Sequence, residues 1–188
     1  MTRLNFALSA LIAAAITVPA SAQDGNNGNR FVEAVRQQDA ATAKQLLGGQ
    51  PSIVDARDDK GETPLIIAIG REDETWTGFL LNSGASVELP ERARGDTPII
   101  VAARSGFDLA AEWLLSKGAK VDSTNRMGET ALIVAVQMRD LRLVRLLLRA
   151  GADPDKADSA AGYSARDYAR RDSRSPAILQ AIDAAGKP

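Results

Sequence analysis

Apolar positions along the chain fall into short groups at helical spacing. Leu65, Ala68 and Ile69 lie on one face of a helix of about two turns. Polar residues follow, and then a second apolar stretch with paired leucines runs toward Gly84, a residue type that commonly ends helices. The pattern predicts a pair of short helices joined by a polar turn.

The same pair of helices recurs at a fixed period. The glycines that precede the first helix of each unit are Gly61, Gly95 and Gly128. The glycines that end the second helix are Gly84, Gly118 and Gly151. Both sets are spaced by 34 and then 33 residues. Two sets in phase indicate an internal repeat, whose units bury their apolar faces by stacking on one another.

Threonine followed by proline marks the start of the first helix in two units. The hydroxyls of Thr63 and Thr97 can accept hydrogen bonds from free backbone N–H groups. The proline that follows has no N–H to leave unpaired at the first helical position. Thr63 and Thr97 are therefore predicted to be N-caps. The densest acidic run, residues 72–74, is interpreted in the same way, as the start of a second helix.

The segment Gly61-Glu62-Thr63-Pro64-Leu65, with the closing Leu-Leu-x-x-Gly-Ala, resembles the ankyrin-repeat family. The resemblance implies an all-α ankyrin solenoid of about five helix–turn–helix units over residues 29–188. The expected repeats are 29–57, 58–90, 91–124, 125–157 and 158–188. The first and last units lack Thr-Pro, which fits terminal repeats that face water on one side.

The chain departs from the family pattern where ankyrin repeats carry a histidine after Thr-Pro-Leu. Isoleucine takes this place, as Ile66, Ile100 and Ile133. The hydrogen bond that histidine usually gives to the turn is therefore lost or replaced. We expect apolar packing at these positions.

The first residues have the features of a secretory signal peptide. A positive start at Arg3 precedes a short apolar stretch, and Ala20-Ser21-Ala22 has the small-x-small pattern of a cleavage site. We expect residues 1–22 to be removed and residues 23–28 to form a short flexible linker. This pattern predicts a bacterial protein exported to the periplasm, or alternatively secreted from the cell.

The composition excludes much catalytic chemistry. The chain has no cysteine and no histidine, so the usual serine and cysteine triads and thiolate metal sites are not available. No nucleotide-binding glycine motif is found. A formal net charge of −1 does not favour nucleic-acid binding. We expect no catalytic residues, no metal, no cofactor and no membrane span.

The resemblance implies a partner-binding surface on the concave side of the stack. Apolar side chains of successive first helices are expected to form a line there: Ile67, Val101, Val134 and Tyr168. Polar side chains one turn on are expected to flank them: Arg71, Arg104, Gln137 and Arg171. The turn tips add Arg92, Arg94, Arg126 and Met127. Alternatively, the turns of the same repeat partly cover the apolar line.

These observations predict a protein–protein interaction module rather than an enzyme. The expected protein is a monomer that binds a partner with an acidic surface, as an adaptor, inhibitor or protective factor. Two alternatives remain at this point, a secreted effector acting on a host protein and an enzyme that uses carboxylates. The identity of the partner does not follow from these residues, because fold does not fix function.

Overall fold

The computed structural model describes residues 20–185 of the chain. Most of the predicted signal peptide, residues 1–19, lies outside the described residues. The first helix, α1, spans Ala20–Arg36 and so covers residues 23–28, the segment predicted to be a linker.

The regular secondary structure of the described region is entirely helical, apart from two isolated β-bridges. The first helices of successive units are α1, α3 (Pro64–Gly70), α5 (Pro98–Ser105), α7 (Ala131–Met138) and α9 (Ala165–Arg171). The second helices are α2 (Ala40–Gly49), α4 (Glu74–Asn82), α6 (Asp108–Ser116), α8 (Leu141–Arg149) and α10 (Pro176–Ala185). A short 3-10 helix, Pro51–Asp55, follows α2. The predicted all-α solenoid is confirmed.

The helices stack in two layers. Each first helix contacts the first helix of the next unit, so that α1, α3, α5, α7 and α9 form one layer. From α4 to α10 the second helices form the other layer in the same way. Leu65, Ile99 and Leu132 are at most 1% exposed in the core. Each unit therefore buries its apolar face against its neighbours, as expected for a repeat that cannot shield it alone.

Isoleucine at the family's histidine position is buried in three units, as Ile66, Ile100 and Ile133. Ile100 and Ile133 pack in this core, whereas Ile66 is buried outside it, beside a surface groove. The expectation of apolar packing is confirmed for Ile100 and Ile133, where an aliphatic side chain needs no hydrogen-bond partner.

Most of the predicted helix starts are capped as the sequence indicates. The Thr63 hydroxyl accepts a hydrogen bond from the N–H three residues on at 3.3 Å, and the acidic run supplies Asp73 as the N-cap of α4. Thr97 is the N-cap residue of α5, as predicted, but its hydroxyl makes no capping hydrogen bond. The hydroxyl instead makes a 3.1 Å hydrogen bond with Ser123 Oγ, near the end of the same repeat. The predicted position of the cap is therefore confirmed, whereas its predicted hydrogen bond is absent.

The turns that precede the first helices interlock from one repeat to the next. The backbone N–H of Arg126 donates to the carbonyl of Arg94 at 3.0 Å, and that of Ser159 donates to the carbonyl of Met127 at 2.9 Å. Gly128 lies at φ 74°, in the left-handed region, and a Cβ atom there would lie 2.5 Å from the backbone nitrogen of Ser159. This turn needs glycine both for its conformation and for the approach of the next repeat.

Candidate functional site

The concave side of the stack carries two open grooves between adjacent first helices and turns. The first, the N-terminal groove, has a volume of about 420 Å³. Five of the predicted partner-binding residues line it: Ile67, Arg71, Arg94, Val101 and Arg104. The second, the C-terminal groove, has a volume of about 390 Å³. Three further predicted residues line it: Gln137, Tyr168 and Arg171.

The predicted apolar line is not continuous on this surface. Val101 and Tyr168 are half-buried, but Ile67 is only 6% exposed and Val134 only 1%. The prediction of an exposed apolar line is therefore wrong for Ile67 and Val134. Both residues belong to helices that contact a first helix on either side, α3 between α1 and α5 and α7 between α5 and α9.

Arg104 is held by two acidic side chains at the base of the turns. Its Nε donates to Asp96 Oδ2 at 3.0 Å, and its Nη2 donates to Glu129 Oε2 at 2.9 Å. The Asn125 amide donates to both carboxylates, at 2.7 and 2.8 Å. Asp96 and Glu129 are 3% and 8% exposed. This four-residue network, here called the turn network, joins the third repeat to the fourth.

The turn network changes the role expected for Arg104. Burial alone would lower the pKa of its guanidinium, but the hydrogen bonds with Asp96 and Glu129 raise the pKa above its ordinary value. The guanidinium therefore stays charged, and the carboxylates of Asp96 and Glu129 balance its charge. The sequence predicts Arg104 as a partner-contacting residue, whereas in the structure it holds two repeats together.

Arg36 has an equivalent position at the end of α1 and makes equivalent contacts. It forms ion pairs with Asp58 and, at 2.8 Å, with Glu62 of the next repeat. Arg36 was not among the site residues predicted from the sequence. The signal was available, because an acidic residue precedes the helix-starting threonine in three turns, as Glu62, Asp96 and Glu129.

Gly70 occupies the matching position in the second repeat. Arg104 lies seven residues after Thr97, and Gly70 lies seven residues after Thr63. The residue predicted at this position, Arg71, lies one residue further along the chain. A Cβ atom at Gly70 would lie 3.9 Å from Val101 Cγ1, an ordinary van der Waals contact. The missing side chain leaves the space that forms the N-terminal groove.

The turn tips are engaged to different degrees. Arg92 lies against Gly61, and Arg126 Nη1 donates to the carbonyl of Ala93 at 3.0 Å. Both side chains therefore pack on the preceding turn. Arg94 is exposed, and Met127 is 46% exposed.

Internal contacts also organise the C-terminal groove. The Tyr168 hydroxyl donates to Asp158 Oδ2 at 2.6 Å, and this hydrogen bond raises the pKa of Tyr168 to about 12. The Arg171 guanidinium lies 4.4 Å from the centre of the Tyr163 ring, within range of a cation–π interaction. Gln137 lies beside them in the groove lining.

A family model described as "Ankyrin repeats (3 copies)" matches residues 31–125 and 78–158, which together are more than half of the chain. The chain belongs to the ankyrin-repeat family. A comparison with curated proteins finds no match. Ankyrin repeats are generally protein–protein interaction modules, and ankyrin-repeat proteins are typically not enzymes.

Two further observations concern the chemistry of this ankyrin array. In residues 20–185, no group of three or more acidic side chains is placed so that it could hold a metal ion. No helix in the same range is long and apolar enough to cross a membrane. The concave face presents guanidinium groups, backbone groups and half-buried apolar side chains, which are the kinds of group that protein interfaces contain.

We expect the Gly70→Arg variant of the ankyrin array to be more stable than the wild type. An arginine at this position can reach Glu62 and Asp96 as Arg104 reaches Asp96 and Glu129. Gly70→Ala serves as the control, because it removes the backbone flexibility of glycine without adding a charge. Alanine is expected to add about 0.5 kcal/mol to the free energy of unfolding, and arginine about 0.5–1 kcal/mol more. Urea unfolding followed by circular dichroism measures the free energy of unfolding of both variants. Equal stability of the two variants would show that the added guanidinium forms no stabilising ion pair.

Proposed function

We propose that this ankyrin array binds a protein partner through its concave face. The observation that carries the proposal is the N-terminal groove, which is lined by half-buried Val101 together with the exposed residues Arg71 and Arg94. Apolar surface combined with arginine side chains is typical of protein interfaces. The groove lies on one side of a stack of repeats, the kind of extended surface that repeat proteins use for recognition.

Site-specific cross-linking in cells tests this proposal. A photoreactive amino acid is placed at Val101, in the groove, or at Arg145, an exposed residue of α8 outside both concave grooves. We expect a cross-linked species of higher mass from position 101 and none from position 145. Cross-links from position 145 alone would place the interface on the other side of the stack. A species of twice the chain mass would indicate a dimer instead of the expected monomer.

A charge inserted into the groove gives an independent test. We expect Val101→Asp to reduce cross-linking from a second groove position, Arg94, at least roughly tenfold, because a desolvated carboxylate disfavours binding. The helical circular dichroism should change little, since Val101 is only half-buried. Unchanged cross-linking would exclude Val101 from the interface.

We further propose that the protein is exported and acts in the periplasm as an adaptor, inhibitor or protective factor. The support is the sequence of residues 1–22, with its positive start, apolar stretch and small-residue cleavage site. Cell fractionation and N-terminal sequencing test this. We expect a periplasmic chain that begins at Gln23. A chain found in the culture medium would favour the secreted effector, and a cytoplasmic chain that retains Met1 would exclude export.

A further inference from the structure

The four arginines that line the N-terminal groove divide into two pairs. Arg36 and Arg104 each form ion pairs with two carboxylates of the turns. Arg71 and Arg94 are exposed, and in the described part of the chain no carboxylate lies within ion-pair distance of either guanidinium. Arg71 Nη1 donates one hydrogen bond, at 2.7 Å, to the carbonyl of Arg36. Two guanidinium groups without a carboxylate partner of their own therefore line this groove.

The carboxylates of the same groove are already engaged. Glu62 and Asp96 accept hydrogen bonds from Arg36 and Arg104. The Glu91 carboxylate accepts the backbone N–H groups of its own turn, at 2.5 Å from Ala93, 2.5 Å from Arg94 and 3.1 Å from Asp96. Burial tends to raise the pKa of Glu91, but these N–H groups lower the pKa below its ordinary value.

The space in the N-terminal groove lies where one helix position has no side chain. Arg36 and Arg104 mark a helix position that carries a guanidinium in the first and third repeats, whereas Gly70 has no side chain in the second. Gly70, Arg71 and Arg94 all line this groove. A side chain from another molecule can enter where the array lacks its own.

We propose that the opening at Gly70 binds a carboxylate side chain from an acidic segment of the protein partner, held between Arg71 and Arg94. The proposal rests on the proposed function, that this face binds a protein, and it specifies the chemistry of the partner. An arginine pairs a carboxylate with charge-assisted hydrogen bonds, and two arginines facing one opening favour such a group over a neutral amide. Arg36 and Arg104 are each paired with two carboxylates, so they add no net positive charge to the site.

Immobilised nine-residue peptide pools test the proposal with the full chain. The pools have random flanking residues and a fixed Glu-Glu, Gln-Gln or Arg-Arg centre. We expect the Glu-Glu pool to bind roughly fivefold or more above the Gln-Gln pool, the ratio that about 1 kcal/mol of charge-assisted bonding gives. We expect the Arg-Arg pool to bind least. The preference for glutamate should fall in 0.5 M salt.

Three variants locate the preference. Arg71→Gln with Arg94→Gln removes the two free charges, and Gly70→Leu fills the opening with an uncharged side chain. Both are expected to abolish the preference for glutamate. The matched control is Arg145→Gln with Arg149→Gln, which removes two exposed charges from α8. It should retain the preference.

Each other result overturns the proposal. Equal binding of the Glu-Glu and Gln-Gln pools would exclude carboxylate recognition. If the preference for glutamate survives Gly70→Leu, the carboxylate binds elsewhere on the protein. If the preference is lost in the α8 control, it reflects only the overall charge of the protein. Stronger binding of the Arg-Arg pool would assign the opening to a cation, since Glu62 and Asp96 lie beside it. Cross-linking from position 101 evaluates the proposed function separately, so loss of the glutamate preference with retained cross-linking rejects only this inference.

Discussion

The Gly128→Ala variant is expected to lose about 2–4 kcal/mol of unfolding free energy, a large fraction of the stability of a domain this size. Gly128 lies at φ 74°, a conformation that costs residues with a side chain about 1–2 kcal/mol. A methyl group there would also lie 2.5 Å from the backbone nitrogen of Ser159 and 2.8 Å from its hydroxyl. The backbone of Ser159 cannot rotate away from this methyl group as a flexible side chain could. The turns of the fourth and fifth repeats must therefore separate.

Gly162→Ala is the matched control for this change. Gly162 lies at φ 71°, but a Cβ atom at this position would meet nothing within 4 Å. Alanine there carries the backbone strain without the contact, and we expect a loss of about 1–2 kcal/mol. Chemical denaturation of both variants under the same conditions measures the difference. Equal losses would show that the approach of Ser159 to Gly128 adds nothing to the stability of the array.

The Arg104→Met variant is expected to lose about 2–4 kcal/mol of unfolding free energy, because it leaves two buried carboxylates without their cation. Methionine preserves much of the volume of the side chain. Asp96 and Glu129 then retain the Asn125 amide as a shared donor, which compensates only part of the lost interaction. Thermal and urea unfolding measure the loss.

Arg174→Met provides the comparison at the surface. Arg174 Nε lies 3.1 Å from Asp172, but the arginine side chain is 72% exposed. An exposed ion pair contributes little, so we expect a change within about 0.5 kcal/mol. If both methionine variants lost the same amount, the turn network would have no more effect than a surface ion pair. The replacement of Asp96 and Glu129 by their amides together with Arg104→Met should restore part of the stability.

These predictions separate two kinds of arginine on the concave face. Arg36 and Arg104 connect neighbouring repeats, and their substitution should lower stability whether or not a partner is present. Arg71 and Arg94 have no ion pair in the described region, and their substitution should change recognition with little effect on folding. Stability and binding can therefore be measured on different residues of one surface.

The architecture of this protein could be predicted from the sequence alone. The spacing of Gly61, Gly95 and Gly128 predicted the repeat, because each turn needs a left-handed residue at the same place. The isoleucines at the family's histidine position predicted apolar packing, and all three side chains are buried. These features repeat within each unit of about 33 residues, so they can be recognised without knowledge of the neighbouring units.

Which side chains of the concave face are available depends on the packing of the repeats. Arg104 pairs with Glu129 of the next repeat, and Thr97 contacts Ser123 at the other end of its own repeat, contacts that the local helix pattern does not contain. The one-residue error between Gly70 and Arg71 is of another kind, because counting seven residues from Thr63, as from Thr97 to Arg104, identifies Gly70 in the sequence itself. Contacts between repeats, by contrast, follow from the way the units stack, since the two partners lie far apart along the chain and no local pattern relates them.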